Sequence, residues 1–271
     1  MGTVHHMRGR SSIQPSPVFL GIAVLTVLAG LIAWRYGDIP DRPARVALFA
    51  FVLGAWMVSL CLHEFGHAYF AFRSGDHTVA TRGYLTLNPA RYADPILSFG
   101  LPVLFILLGG IGLPGGAVWI DRGSIPGRIR HSLVSAAGPL ANALFAVVLG
   151  VLFANFADRE HGVFWAGVAF LAFLQVTATV LNLLPIPGLD GFGIWEPYLP
   201  RTWVIKANQY GGYLFLLLLV ALWLIEPVNR AFFDVTLGIS GALGLNEFPF
   251  AEDWPINPIE LGLDLFRFWV D

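Results

Sequence analysis

Residues 44–72 decide the fold, and they read ARVALFAFVLGAWMVSLCLHEFGHAYFAF. Apart from Arg45 near its start, this stretch contains three ionisable acidic or imidazole side chains, which are those of His63, Glu64 and His67. A helix that crosses a membrane needs about 20 mostly apolar residues, and this stretch is long enough to supply one. We therefore expect a membrane helix that carries three polar side chains near its end.

The composition of the whole chain supports a membrane protein. Of its 271 residues, 56% are hydrophobic and 13% are charged. A soluble domain has roughly 25% charged residues, so a soluble protein of this composition would lack polar surface. The net charge of −2 excludes a protein that binds nucleic acid through a basic face. A single cysteine, Cys61, excludes an intramolecular disulfide and any metal site built from several cysteines.

The pattern of apolar runs predicts an all-α polytopic membrane protein with about six transmembrane helices. The third run contains Pro102, so it either crosses the membrane or dips in and returns. The predicted spans cover residues 18–36, 44–72, 95–116, 133–156, 163–184 and 211–225.

Two short stretches between the second and fourth predicted spans favour β-structure. Residues 82–87 and 116–120 are β-prone and are bounded by Gly, Pro or Asn. They predict a small membrane-associated β element, whose edge strand could bind an extended peptide by main-chain pairing. A plain connecting hairpin is an equally good interpretation.

The polar residues of the second span match the metal-binding pattern H-E-x-x-H. His63 and His67 are four positions apart, so both imidazoles lie on one helix face and can hold one ion. Glu64 lies beside that face, where it can take a proton from water at the metal. Each charged group in a membrane helix costs several kcal/mol or more, which favours a metal site over histidines that only bond to neighbouring groups.

The best candidate for a third metal ligand is Asp190. It lies near the end of the run NLLPIPGLDG at 182–191, in which two prolines and two glycines break the helix. On spacing alone, an aspartate in an Asx turn before Gly191 is equally plausible. Charge favours the ligand, because two neutral imidazoles, the carboxylates of Asp190 and Glu64 and one Zn²⁺ sum to zero.

At this point the chain resembles the site-2 protease family of intramembrane zinc metalloproteases. The resemblance rests on three motifs that follow one another in the family's order within residues 44–197: HEFGH at 63–67, GPLAN at 138–142 and N…P…LDG at 182–191. The combination is much more specific than any one motif. One departure is Phe192, which stands where the family often has a second glycine after the Asp-Gly pair.

The resemblance implies the roles of the site residues. Zinc, one ion per chain, would be held by His63, His67 and Asp190, and Glu64 would serve as the catalytic base and acid. Asn142 and Asn182 would position the substrate or stabilise the oxyanion, although asparagines in membrane bundles also form plain hydrogen bonds between helices.

The resemblance also implies the biological setting. The enzyme would hydrolyse peptide bonds within or near the transmembrane segment of a membrane protein, such as an anti-sigma factor or a membrane-bound transcription regulator. We expect a multi-pass protein of a bacterial or archaeal cell membrane. The chain has no room for a PDZ or CBS domain, so gating would come from its own spans, from its tail or from a separate regulatory partner.

These expectations divide the chain into three parts. Residues 1–17 form a polar N-terminal tail, and residues 18–232 form the transmembrane metalloprotease domain, with its catalytic core at about 44–197. Residues 233–271 form an acidic, aromatic tail that lies at the membrane interface.

Two other functions remain open on the sequence. A membrane zinc endopeptidase of the prenyl-protein protease type also uses H-E-x-x-H, but such enzymes take a glutamate as third ligand, whereas the best partner here is Asp190. A non-catalytic metal-binding membrane scaffold has no need of a base, which the intact Glu64 argues against.

Overall fold

The computed structural model describes residues 13–91, 118–250 and 255–267, together with the single positions 104, 252 and 269, and these residues form helices and no strand. The α-helices in chain order are α1 (Pro17–Arg35), α2 (Arg42–Ser74), α3 (Thr78–Thr81), α4 (Arg128–Phe156), α5 (Gly162–Leu183), α6 (Asp190–Trp195), α7 (Arg201–Leu224), α8 (Glu226–Ala242) and α9 (Pro258–Phe266). Single 3₁₀ turns precede or follow several of them.

Five of these helices are long and apolar enough to cross a membrane. They are α1, α2, α4, α5 with the turn that precedes it, and α7, and they match the first, second, fourth, fifth and sixth predicted spans. The third predicted span, 95–116, lies outside the described residues except for Leu104. The all-α prediction is confirmed for the part of the chain that the structure describes, and the count of six spans stays a prediction.

The first two helices begin where their sequences provide caps. The side chain of Ser16 accepts a hydrogen bond from the Phe19 N–H at 3.1 Å, and Asp41 accepts one from the Ala44 N–H at 2.9 Å. A proline lies in the first turn of each helix, where its missing N–H costs no hydrogen bond. Helix α2 ends at Gly75, whose φ of 123° is one that residues with a side chain rarely adopt.

Helix α5 is the centre of the bundle, because it is buried along most of its length. It packs against α4, α2 and α9, and its Phe170 lies in the main apolar core with Leu48 and Phe153. Helix α9 approaches closely at Gly262, where an added Cβ would lie 2.3 Å from the Ala166 carbonyl oxygen. This contact requires glycine.

Helices α1 and α7 present apolar side chains outward. Leu25 of α1 is 67% exposed, and Leu217 and Leu224 of α7 are 61% and 78% exposed. A contiguous apolar surface of this kind would be costly in water, but it is the ordinary surface of a helix in lipid. The chain is therefore a membrane protein.

The predicted β element is absent from the described residues. Within 82–87, Tyr84–Thr86 form a 3₁₀ turn, because Gly83 and Leu87 on either side both have positive φ, at 77° and 55°. Within 116–120, the described residues 118–120 form no strand. The Val118 N–H bonds to the carboxylate of Glu64 on α2 instead of to a neighbouring strand.

The predicted C-terminal tail contains helical structure. Helix α8 begins before the predicted boundary at 232/233, and α9 lies wholly within the tail. Phe266 of α9 is fully buried, with its ring centroid 4.8 Å from that of Phe49 and 5.4 Å from that of Phe170. This end of the chain packs against the bundle, and the division into three parts stays a prediction.

Candidate metal centre

Three predicted ligands meet at one end of the bundle. The Nε2 atom of His63 lies 3.2 Å from Asp190 Oδ2, and the Nε2 atom of His67 lies 3.3 Å from Asp190 Oδ1. The two Nε2 atoms are 3.1 Å apart, and one ligand atom from each residue lies within 4.8 Å of the others. The cluster could hold a single metal ion.

The chain reaches this geometry through the break after α5. Helix α5 ends at Leu183, and Pro185 and Pro187 prevent it from continuing. Gly188 then turns the backbone with a φ of 100°, and α6 begins at Asp190 itself. The turn returns the Asp190 carboxylate to the face of α2 that carries the histidines.

The orientation of His67 is fixed by a backbone carbonyl. Its Nδ1 atom lies 2.7 Å from the oxygen of Val134 on α4. A carbonyl oxygen only accepts, so Nδ1 carries the proton and Nε2 presents its lone pair to Asp190 and His63. This arrangement, in which the second ring nitrogen bonds to a backbone carbonyl, is typical of metal-ligating histidines. The buried Nδ1 of His63 has no hydrogen-bond partner among the described residues.

Gly138 of α4 leaves room in front of the two imidazoles. An added Cβ at this position would lie 2.3 Å from His67 Nε2 and 2.5 Å from His63 Nε2. Any other residue would occupy the space that the two nitrogens face. The missing side chain, together with two imidazoles and a carboxylate, fits a metal ion of the zinc type.

Glu64 is buried beside the cluster and held by a backbone donor. It is 3% exposed, and its Oε2 accepts a hydrogen bond from the Val118 N–H at 3.1 Å. The same segment is tied to the end of α2 a few residues later, where the Asp121 N–H donates to Oδ2 of the fully buried Asp76 at 2.8 Å. The segment 118–121 therefore forms a wall over the cluster.

The cluster opens into a cavity of about 190 Å³. The three candidate ligands and Glu64 all line it, and so does Asn182, whose buried Nδ2 has no partner among the described residues. Asn142 does not line this cavity. Its Oδ1 lies 3.5 Å from the Ser59 Oγ of α2, which is the hydrogen bond between helices that the sequence left open as its alternative role.

Several groups at the site could not be identified from the sequence. The carbonyl of Val134 and the N–H of Val118 are backbone atoms, so no residue type marks them. Gly138 lies in the GPLAN motif, but its steric role follows only from the packing of α4 on α2. Arg122 also lines the cavity, and it donates to Glu196 at 2.6 Å.

Known proteins resemble this chain over nearly its whole length. It is 47% identical over 263 residues to a Mycolicibacterium smegmatis protein named "Putative zinc metalloprotease Rip2", covering 96% of each chain. A Mycobacterium tuberculosis protein of the same name is 49% identical over 240 residues, covering 88% of this chain and 91% of its own length. The chain belongs to the site-2 protease family. No protein-family model and no solved structure matches it.

A more distant member of the family shares part of the chain. The Bacillus subtilis protein named "Putative zinc metalloprotease YwhC" is 34% identical over 185 residues, which is 65% of this chain and 82% of its own length. These relatives, which are named as zinc metalloproteases, confirm the predicted zinc cofactor, and with the apolar helices they establish a membrane zinc metalloprotease.

Proposed function

We propose that the chain is an intramembrane endopeptidase that hydrolyses peptide bonds within or near the transmembrane segments of other membrane proteins. One observation carries the proposal. His63, Glu64 and His67 are buried on a helix of 33 residues that is apolar enough to cross a membrane, and the half-buried Asp190 meets the two histidines there. Ionisable groups at such a place are costly unless they have a function.

The residues divide the chemistry among them. His63, His67 and Asp190 would hold zinc, which when bound supplies a Lewis acid for the peptide carbonyl and acidifies water. The Val118 N–H occupies Oε2 of Glu64 and leaves Oε1 free to accept a proton. Glu64 takes this proton from the attacking water as the new C–O bond forms. It then delivers the proton to the amide nitrogen as the C–N bond breaks.

The substrate reaches the site as an extended segment. In an intact helix the scissile carbonyl is hydrogen-bonded to an N–H one turn away and shielded by side chains. A substrate helix therefore unwinds locally before its scissile bond reaches Glu64, which lines the cavity. The unpartnered Nδ2 of Asn182 supplies a donor for a substrate carbonyl in this cavity. Asn142 contacts Ser59 one helical turn before His63 and lines no part of the metal cavity, so it acts on the site through helix packing.

The cellular setting follows from the family. The substrate is a membrane-anchored protein, with an anti-sigma factor or a membrane-bound transcription regulator as the leading class. The chain spans a bacterial cell membrane several times, as its five long apolar helices support. Its activity is controlled by its own spans, by its C-terminal tail or by a separate regulatory partner.

The test compares zinc content and cleavage of a transmembrane substrate in reconstituted vesicles. Glu64→Gln keeps the size of the side chain and loses its basicity, so we expect full zinc content and a loss of cleavage of about 10²- to 10⁴-fold. Asp190→Ala removes a ligand, so it loses both zinc and cleavage. The matched control is Glu160→Gln, because that glutamate is exposed and lines no part of the metal cavity.

Two outcomes would count against the proposal. Cleavage that survives Glu64→Gln would show that another group moves the proton. Equal cleavage of a soluble peptide and of the transmembrane substrate would favour a membrane endopeptidase of another type, such as the prenyl-protein proteases.

A further inference from the structure

A second cavity, which we name the basic cavity, adjoins the metal centre. It measures about 410 Å³, and Arg122, Arg128, Arg201, His131 and Glu196 are its polar lining side chains. Three guanidinium groups thus face one carboxylate, and that carboxylate already accepts a hydrogen bond from Arg122 at 2.6 Å. In the part of the chain that the structure describes, no ion pair or side-chain hydrogen bond engages the guanidinium group of Arg128 or Arg201. Among the described residues, the basic cavity therefore carries more positive than negative charge.

Two helix N-termini add to this charge. Helix α4 begins at Arg128 after Gly127, and α7 begins at Arg201 after Pro200, and neither has a side chain that caps its first N–H groups. Unpaired N–H groups and the helix dipole give the start of a helix a partial positive charge. Because both starting residues line the basic cavity, the arginines and the backbone favour the same kind of ligand, which is an anion.

The surroundings of the basic cavity place it at the membrane surface. Arg128 and Arg201 are the first residues of two candidate membrane-crossing helices. Around them, Trp195, Tyr198 and Trp203 are 60%, 50% and 70% exposed. Exposed tryptophan and tyrosine side chains mark the level of the lipid headgroups. An anion that resides at this level is the phosphate group of a lipid.

We propose that the basic cavity binds the phosphate group of an anionic membrane lipid. The guanidinium groups of Arg128 and Arg201 bind the phosphate oxygens, and a fork of N–H donors suits that geometry. Arg122 lines both the basic cavity and the metal cavity, so an occupied phosphate site stabilises the wall of the metal centre. Anionic lipid thereby increases cleavage. The effect on cleavage rests on the proposed protease activity, whereas phosphate binding does not.

The test measures lipid binding and cleavage separately in the full-length protein. Native mass spectrometry of the protein titrated with phosphatidylglycerol gives binding, and the probe without negative charge is phosphatidylcholine. The double variant Arg128→Gln with Arg201→Gln should bind phosphatidylglycerol about 30-fold more weakly, from about 1 kcal/mol per arginine at a membrane surface. Cleavage is measured in vesicles of equal parts of both lipids and divided by cleavage in vesicles of phosphatidylcholine alone. This ratio should fall to about one in the double variant.

The matched control removes two arginines from the other end of the bundle. Arg35 is the last residue of α1, and Arg159 precedes α5; both are exposed, and neither lines the basic cavity. Arg35→Gln with Arg159→Gln should keep the binding of phosphatidylglycerol and its effect on cleavage. An equal loss in the control would overturn the assignment of the site.

Further outcomes distinguish the source of the phosphate and the partner. Inorganic phosphate or glycerophosphoglycerol that saturates the site at the same concentration as the lipid would overturn the lipid assignment. Cleavage that falls in the Arg128/Arg201 variant by the same factor in both vesicle compositions, with lipid binding unchanged, would indicate that the arginines bind an acidic residue of the substrate. A protein that binds phosphatidylglycerol normally but never cleaves would refute only the proposed function.

Discussion

Replacing Gly138 by alanine tests whether the space in front of the histidines is the metal site. The new Cβ would lie 2.3 Å from His67 Nε2 and 2.5 Å from His63 Nε2. Non-bonded heavy atoms reach optimal contact at about 3.5 Å or more, so each overlap exceeds about 1 Å. Both imidazoles must move away. His63 can rotate, because its Nδ1 has no partner among the described residues, but His67 moves only by breaking its 2.7 Å bond to the Val134 carbonyl.

For folding of the metal-free protein, the substitution has stabilising and destabilising effects that partly cancel. For metal binding, its effect is only unfavourable. Alanine in place of glycine favours a helix by about 1 kcal/mol. Overpacking costs about 1–3 kcal/mol, and the lost hydrogen bond about 0.5–1.5 kcal/mol. The metal-free protein should therefore be only modestly less stable. Zinc affinity should fall at least about 100-fold, because changes that merely reorient a ligand already cost 10- to 100-fold.

The assay is zinc retained against a competing chelator, measured together with thermal unfolding of the metal-free protein. The control is Gly212→Ala, because Gly212 lies in α7 and a Cβ there would meet nothing within 4 Å. We expect the control to bind zinc normally. The reasoning would be refuted by a Gly138→Ala protein that folds and keeps the zinc affinity of the unaltered chain.

Three further changes test the packing around the site. Asp76→Ala removes the acceptor of two partly buried backbone N–H groups, including that of Asp121, so the free energy of unfolding should fall by about 1–3 kcal/mol in detergent melts. Gly262→Ala places a Cβ 2.3 Å from the carbonyl oxygen of Ala166, so α9 should separate from α5 and become sensitive to protease. Partial burial raises the pKa of Asp158, but hydrogen bonds from His161 and Trp165 outweigh it and hold that pKa below its usual value. Asp158→Asn should therefore lower Tm slightly at pH 7, and the difference should disappear as the pH falls through the lowered pKa.

Each of these changes has a result that would contradict it. An unchanged melting curve for Asp76→Ala would mean that other groups accept the freed N–H bonds. Protease sensitivity that appears equally in Gly238→Ala, where a Cβ meets nothing within 4 Å, would show that α9 is not held by the close contact at Gly262. For Asp158→Asn, a loss of Tm that grows as the pH falls would have the wrong sign.

The ligand cluster could be predicted from the sequence because it depends on short-range regularities. The spacing of His63 and His67 places both imidazoles on one face of any helix. The prolines and glycines around Asp190 mark a helix break, and a broken helix end is where a carboxylate can turn back into a membrane bundle. Both regularities hold whatever else the chain does, and the three residues do meet in the structure.

The prediction of a strand at 82–87 was wrong because β-propensity describes side chains and not backbone dihedral angles. Residues 82–87 contain Tyr, Leu and Thr in a pattern that suits a strand. Positive φ at Gly83 and at Leu87 curls the backbone between them, and the consecutive residues Tyr84 and Leu85 are both buried. A strand would have placed these two side chains on opposite faces. The left-handed conformation of Leu87 has no signature in the residue type.

The segment 118–122 connects the parts of the site through hydrogen bonds to three carboxylates. The Val118 N–H donates to Glu64 of α2, and the Asp121 N–H donates to Asp76 just beyond the end of that helix. Its side chain at Arg122 then bonds to Glu196, directly after α6, the helix that begins with Asp190. One segment therefore sets the position of the proton-accepting carboxylate relative to the ligand carboxylate. Because Val118, Asp121 and Arg122 lie within one five-residue segment, we expect a displacement of Arg122 at the membrane surface to shift the Val118 N–H. The orientation of Glu64 thus depends on a contact outside the metal cluster, and the basic cavity lies at that contact.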